Sequence, residues 1–241
     1  MSDGEPSDSA PQAPTARERN RAEVMAQVMA AGRRELAEHG ADGLSLRAVA
    51  REIGMVSSAV YRYVASRDEL LTLLIIESYN AVGLAAERAS ATEGTAAERF
   101  VAIASAVRDW AREHPQEYAL LHGSPVPGYR APQVTVIPGI RVPTAMLALL
   151  IEEYAAGRVS APPEGEDPPV SPELSRQLDV VRDHFDVDVP DDVLLRGMSA
   201  WTQVYGLISF ELFGQFANTF EPADDFMGYQ FSLAATRVGI A

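Results

Sequence analysis

The sequence predicts an all-α chain, and three observations carry that reading. Apolar side chains recur at the 3.6-residue period of a helix, the periodic runs open on capping residues and close on Gly or Pro, and no run alternates apolar and polar residues as a half-buried strand does. No internal repeat appears. A length of 241 residues admits a small domain followed by a larger one. The boundaries expected are a disordered tail over 1–16, a three-helix domain over 17–66 and a larger helical domain over 67–241.

The tail consists of Pro, Ser, Asp and Ala with almost no large apolar group, so it cannot offset the entropy of being ordered. From Arg17 the pattern changes. Val24, Met25, Val28, Met29, Gly32 and Leu36 share a helical face, and His39-Gly40 with Asp42-Gly43 supplies a stop and a turn. Ser45 is placed to cap a second, short helix with Leu46, Val49, Ala50 and Ile53 inward, and Gly54 ends it. A third helix is expected from Ser57 to Val64 with Val60 and Val64 inward. Ser66 caps a fourth that runs from Arg67-Asp68-Glu69-Leu70 to about Ala89.

Thr95 to His114 reads as a helix carrying Phe100, Ile103, Val107 and Trp110, stopped by Pro115, and Glu117 to His122 as a short one. Gly123 to Pro143 is rich in Pro and Gly and reads as a bend, with a helix resuming over 144–157. Residues 158–171 read as an exposed, mobile loop. Pro172 opens a helix that reaches Phe185. The chain then has a long apolar stretch over 191–216 and a last amphipathic helix over 222–239.

Composition narrows the function. There is no cysteine, which excludes disulfides, thiolate metal sites and a thiol nucleophile. The N-terminal residues lack the basic and apolar regions of a signal peptide, and no run of about 18 uninterrupted apolar residues occurs, so a soluble cytoplasmic chain with no membrane partner is expected. The net charge is -14. It is unevenly spread: Arg17 to Arg67 holds nine Arg against six carboxylates, while 68–241 carries 11 Arg against 25. Only the first of these segments can approach a polyanion without a general electrostatic penalty. The acidic remainder is equally consistent with a surface that keeps the protein in solution.

Residues 45–63 meet the specification of a helix-turn-helix: two short helices, a Gly at the turn, and a second helix whose outward face is free to enter a major groove. Ser57, Ser58, Ala59 and Arg62 are the outward positions. Tyr61 and Tyr63 offer phenol donors to phosphate oxygens, and Arg67 at the start of a helix combines a cation with free backbone donors.

The run LSLRAVAREIGMVSSAVYRYVASRDELL resembles the N-terminal signature of the tetracycline-repressor (TetR) family over residues 18–75. The resemblance implies that Arg47 reaches a base, that Ser57, Ser58 and Ala59 face the groove, and that Tyr61, Tyr63 and Arg67 hold the backbone. Three positions depart from the pattern: Val56 where Ser or Thr usually caps the recognition helix, Ala59 where a hydroxyl is common, and Val64 where Phe usually fills the core. Ser57 can cap one residue later, and Ala59 can meet a thymine methyl.

The acidic body is unsuited to DNA, and the resemblance implies that it senses a small molecule. WAREHPQEYALLHGSPVPGY and AWTQVYGLISFELFG are similar to a C-terminal subtype with recurrent Trp, His and Gly positions, the Trp-His-Gly (WHG) subtype. Pockets in helical bundles are apolar with a few placed polar groups. Trp110, Tyr118, His122, Met146, Trp201 and Tyr205 fit that description and point to an apolar effector bound beneath the fourth helix. Singly, each fits an ordinary core equally well.

On the 191–216 stretch Leu194, Met198, Trp201, Tyr205, Ile208 and Leu212 form one stripe, and Leu195, Val204, Leu207, Phe210 and Phe213 extend around the cylinder. A helix apolar nearly all round buries more than one face. A two-fold homodimer through 191–216 and 222–239 is therefore expected, which sets two recognition helices on the half-sites of a palindromic double-stranded DNA operator about one turn apart. No cofactor and no catalytic or metal site is expected. EHPQE at 113–117 lacks the second His of a zinc-hydrolase helix, and Pro115 breaks its geometry. A protein that wraps DNA would need a broadly basic surface.

Overall fold

The computed structural model describes residues 15–160 and 168–240, and the regular structure among them is entirely helical. Most of the 1–16 tail, and 161–167 of the expected loop, lie outside the described residues. The last two tail residues already belong to the first helix, α1 (Ala16–Gly43), and its cap. Thr15 caps it through a capping box: its hydroxyl accepts from the Glu18 amide at 3.3 Å, and Glu18 accepts from the Thr15 amide at 2.7 Å. Gly40 interrupts the helix at φ 69°, ψ 177°, a conformation essentially reserved for Gly.

The second helix, α2 (Leu46–Glu52), is capped by Ser45, whose hydroxyl accepts from the Ala48 amide at 3.4 Å. Gly54 turns the chain at φ 69°. The third, α3 (Ser57–Val60), is shorter than the expected 57–64. Ser57 does not cap it: the N-cap is Val56, which has no side-chain oxygen to offer. Beyond Val60 the residues Tyr-Arg-Tyr-Val include three weak helix formers. The chain there tightens into turns in which Arg62 donates to Ala59 and Tyr63 to Val60. Ser66 then accepts from the Glu69 amide at 3.1 Å to open α4 (Arg67–Ser90).

The chain divides into two compact units between Leu71 and Thr72, inside the first turns of α4 rather than at its start. Leu70 and Leu71 are buried, whereas the core of the larger unit takes its first α4 residue at Val82. Among the described residues α4 is the one unbroken helix whose length and mean hydropathy, 1.3, would fit a membrane span. Its Leu70, Leu71, Leu74, Val82 and Ala86 are instead buried in protein.

In the larger unit, Thr95 and Glu98 form a second capping box for α5 (Ala96–Glu113). Pro115 both ends α5 and supplies the first position of α6 (Pro115–His122). The stretch expected to be a bend contains a 3-10 turn (Gln133–Thr135) and a one-turn helix, α7 (Val136–Gly139). The next helix, α8 (Arg141–Ala155), starts three residues earlier than expected, because Pro143 falls in the first turn, where no intrahelical amide bond is lost. Then follow α9 (Pro172–Phe185), capped by Ser171, and α10 (Asp191–Leu212), which stops short of Phe216 as Gly214 turns the chain at φ 77°. The last, α11 (Asp224–Val238), ends on Gly239 at φ 91°.

Helix α5 packs on α8, α10 and α11, and α10 packs on α8, α9 and α11. Their shared core includes Phe100, Ile103, Val107, Leu149, Leu150, Val204, Ile208, Met227 and Phe231. Two buried or part-buried arginines stitch the bundle. Arg108 grips both oxygens of Glu211 at 2.7 and 2.6 Å and Asp224 at 2.9 Å, joining α5, α10 and α11. Arg141 of α8 grips Glu87 at 2.7 and 2.6 Å, lying across Gly83 of α4, where a Cβ would stand only 2.7 Å from its own.

Candidate nucleic-acid interface and cavities

In the N-terminal unit Leu46, Val49, Ala50, Val60 and Val64 are buried, and they orient the two short helices so that Arg47 and Ser58 are presented outward. Arg47 in the first turn of α2, Ser58 on α3, and Tyr61 and Arg62 just beyond it are exposed, Tyr61 at 46%. Ser57, Ala59 and Tyr63 are half-buried. The Tyr63 ring is held by Arg21, whose guanidinium carbon lies 5.4 Å from its centroid, a cation–π contact. Arg67 is half-buried and already engaged: it donates to the Ala41 carbonyl at 2.7 Å and pairs with Asp68 at 3.5 Å. It ties the end of α1 to the start of α4. An ion pair of Arg34 with Glu52 ties α1 to α2. Val64 fills the position usual for Phe and is fully buried, so that departure leaves the small core closed.

The larger unit contains a wide cavity of about 640 Å³ and a narrower one of about 180 Å³. The wide cavity is walled by α4 (Ile75, Tyr79), the end of α6 (His122), the 123–139 segment and α10 (Trp201, Tyr205). The narrower cavity lies among α5, α8, α9, α10 and the C-terminal end, with Met146, Leu150, Val181, Leu194 and Val238 in its wall. Trp201, Ile140 and Pro143 line both.

Of the six residues expected to form a pocket, His122, Trp201 and Tyr205 are brought together in the wide cavity, and Met146 joins Trp201 in the narrow one. Tyr118 lies behind the wall. It is fully buried, donates to the Tyr205 carbonyl at 3.2 Å, shares a hydrogen bond with Ser209 at 2.8 Å, and sits 4.9 Å from the His122 ring. Trp110 lines neither cavity; its ring stacks on His114 at 5.2 Å.

The His122 ring is enclosed by Tyr79, Tyr118 and Tyr205 at 6.1, 4.9 and 4.5 Å. Burial drives its pKa down to about 4, so the imidazole is neutral at physiological pH. Burial likewise raises the phenols of Tyr79, Tyr118 and Tyr205, so they stay protonated as hydrogen-bonding groups. The Trp201 indole N–H is buried with no hydrogen-bond partner, the one such side-chain atom found among the described residues. Sequence reasoning missed Tyr79 and Tyr129. Tyr79 follows Ile75 by one helical turn, a usable signal. Tyr129 lies in the Pro/Gly-rich segment and is anchored to Thr72 of α4 at 2.9 Å.

Residues 28–74 match the family described as bacterial regulatory proteins, tetR family, and residues 100–232 match the tetracyclin repressor-like C-terminal domain. The HTH-type transcriptional regulator Rv1816 of Mycobacterium tuberculosis is 42% identical over 200 residues, which cover 81% of this chain and 83% of that protein. The chain belongs to the TetR family. The same identity and coverage hold for the HTH-type regulator Mb1846 of Mycobacterium bovis. Among solved structures, the regulatory protein SCO4313 is 31% identical with a TM-score of 0.75 over 92% of this chain and 100% of that one. PfmR of Thermus thermophilus, a TetR regulator, is 15% identical with a TM-score of 0.55 over 86% and 96%, a likeness of fold alone. As a TetR protein the chain is a DNA-binding transcriptional regulator and not an enzyme. Members of the family act as dimers that carry a ligand-binding domain.

Proposed function

We propose that this TetR protein is a repressor that holds a palindromic operator as a homodimer in the cytoplasm and is released when an apolar small molecule enters the larger unit. The observation that carries the reading is the helix-turn-helix surface. Arg47, Ser58, Tyr61 and Arg62 stand exposed over a buried valine framework, in the one basic stretch of an acidic chain. Arg47, Ser57 to Ala59 and Arg62 are assigned to the groove, and Tyr61, Tyr63 and Arg67 to the backbone. Arg67, already bonded to Ala41, acts there by fixing the register of the unit as much as by touching phosphate.

The dimer is supported by side chains that one protomer leaves uncovered. Met198, Phe210 and Phe213 of α10 and its C-terminal turn, and Tyr229 of α11, are exposed, Phe210 at 54% and Tyr229 at 67%. Thr202 and Gly206 lie exposed between them and would allow close helix approach. A two-fold partner covering α10 and α11 would spread two α3 helices to half-sites about 34–36 Å apart. The sequence around Trp110, His122 and Gly123 supports placing the sensor in the Trp-His-Gly subtype. With the cavities as effector site, a coupling of about 1–3 kcal/mol changes operator affinity roughly 5–150-fold.

The test is selection of bound genomic fragments with the purified protein, followed by anisotropy on the palindrome recovered. Arg47→Ala is expected to weaken binding by about 1–3 kcal/mol and relax one base position. Recovery of no palindrome, or unchanged binding with saturating ligand shown to occupy the cavity, would sink the repressor reading.

A further inference from the structure

The polar side chains of the wide cavity divide into those already engaged and those left open. The Tyr129 hydroxyl shares a hydrogen bond with Thr72 at 2.9 Å, and the Thr135 hydroxyl donates to the Pro132 carbonyl at 2.8 Å. Trp201 contributes ring carbons alone, since its N–H has no accessible surface. The Tyr79 and Tyr205 hydroxyls and the two ring nitrogens of His122 are different. None has a hydrogen-bond partner among the described residues, and none is sealed off, so each keeps accessible surface. The three side chains line the cavity together, with the His122 ring 4.5 Å from that of Tyr205 and 6.1 Å from that of Tyr79. A neutral imidazole has one nitrogen that donates and one that accepts, and a phenol side chain does both. Three such groups on one largely apolar space form the polar end of a ligand site.

We propose that the effector is an uncharged phenol, whose hydroxyl donates to an imidazole nitrogen of His122 and accepts from the hydroxyl of Tyr79 or Tyr205. This rests on the effector-controlled reading above, and it names the chemical class for the wide cavity. The rest of the lining suits the body of such a molecule. Ile75, Leu121, Val126 and Ile140 are apolar, and the rings of Tyr205 and Trp201 permit edge-to-face contact with an aromatic ligand. Charge is disfavoured, because the wall holds no carboxylate, guanidinium or ammonium group and an ion would lose its hydration without a counter-charge. Burial keeps the His122 ring uncharged, so it offers a lone pair rather than a cation. A phenol donates to that lone pair more strongly than an aliphatic alcohol does, since its O–H is the more acidic. A ketone or an ether would leave the lone pair unmet. At about 640 Å³ the space lies within the range that encloses a drug-sized ligand.

The probes are para-propylphenol, para-propyltoluene, in which a methyl of similar size replaces the hydroxyl, and para-propylanisole, which accepts but cannot donate. The saturated propylcyclohexanol and the anion para-hydroxyphenylpropanoate complete the set. Their binding to the full chain is followed by calorimetry. The phenol is expected to bind about tenfold more tightly than the anisole, with the cyclohexanol between them and the anion weakest. His122→Phe, which keeps a ring and removes the lone pair, should weaken the phenol about tenfold and leave the toluene unchanged. At least one of Tyr79→Phe and Tyr205→Phe should weaken phenol and anisole together, about fivefold, because both ligands accept through the same oxygen. Should His122→Phe fail to fold by circular dichroism, the ranking of the five probes on the native chain decides. The proposal is overturned if the anion or the cyclohexanol binds tightest, or if phenol and anisole bind alike. It is equally overturned if a folded His122→Phe keeps full affinity for the phenol, if neither tyrosine variant weakens it, or if no phenol binds up to its solubility limit. Adding the phenol to the operator complex separates the two readings. Selective binding that leaves DNA affinity unchanged upholds this chemistry and defeats the repressor mechanism.

Discussion

Val56 shows how much one side chain decides at the end of a short helix. It occupies the N-cap of α3 in an extended conformation (φ -70°, ψ 141°), is 70% exposed, and gives no side-chain bond. Val56→Ser keeps that backbone and adds an acceptor for a free amide, so the N-terminal unit is expected to gain about 1 kcal/mol in urea unfolding. An unchanged or lower midpoint would show that the amides are satisfied in another way. His122 makes the opposite point, since its enclosure by three tyrosines has a thermodynamic cost. Its folded pKa, about 4, lies below the ordinary 6.5. As pH falls through that window the unfolded chain takes up a proton that the folded chain refuses, and stability drops. His122→Phe is expected to remove on the order of 2–3 kcal/mol of that loss between pH 6.5 and 4, read from urea midpoints across the range. The two differ in legibility. The sequence marks Val56 as a cap position without a side-chain oxygen, whereas the state of His122 depends on rings contributed by α4, α6 and α10, which no single stretch of sequence displays.

At the scale of elements, the local signals were legible. Ser45, Ser66, Thr95 and Ser171 each accept an amide hydrogen bond where the sequence expects or permits a helix start. Their partners lie three residues away, so adjacent letters suffice to find them. Lengths were less legible. The turns after Val60 and the early start of α8 across Pro143 reflect a balance of weak propensities rather than one decisive residue. The pairing of elements was not legible at all, since Arg108 on α5 finds Glu211 on α10 and Asp224 on α11 far along the chain. The Arg108 and Glu211 side chains are only 9% and 15% exposed. Glu211→Leu leaves the guanidinium with Asp224 alone and is expected to cost about 3 kcal/mol, measured by urea unfolding. A loss under about 0.5 kcal/mol would mean that Asp224 compensates fully.

Taken whole, the molecule separates a basic reader from an acidic body along its sequence, and the cavity walls are drawn from segments as distant as Tyr79 and Trp201. That is why the reader could be located from a continuous run, while Trp110 was expected in a pocket and instead lies buried against His114, lining neither cavity. Assembly belongs to the same scale. Phe210→Glu, on the uncovered face of α10, is expected to yield a monomer in sedimentation velocity and to weaken operator binding about a hundredfold or more, because two linked half-site contacts become one. A variant that stays dimeric would place the interface elsewhere. The two indoles of the chain also differ optically. Trp110 is buried against an imidazole, while Trp201 lines both cavities. A molecule entering either cavity changes the polarity around the Trp201 ring, so its emission should shift in wavelength as the cavities fill while that of Trp110, which lines neither, stays constant. The protein thus carries its own fluorescent gauge of occupancy, readable without any attached dye.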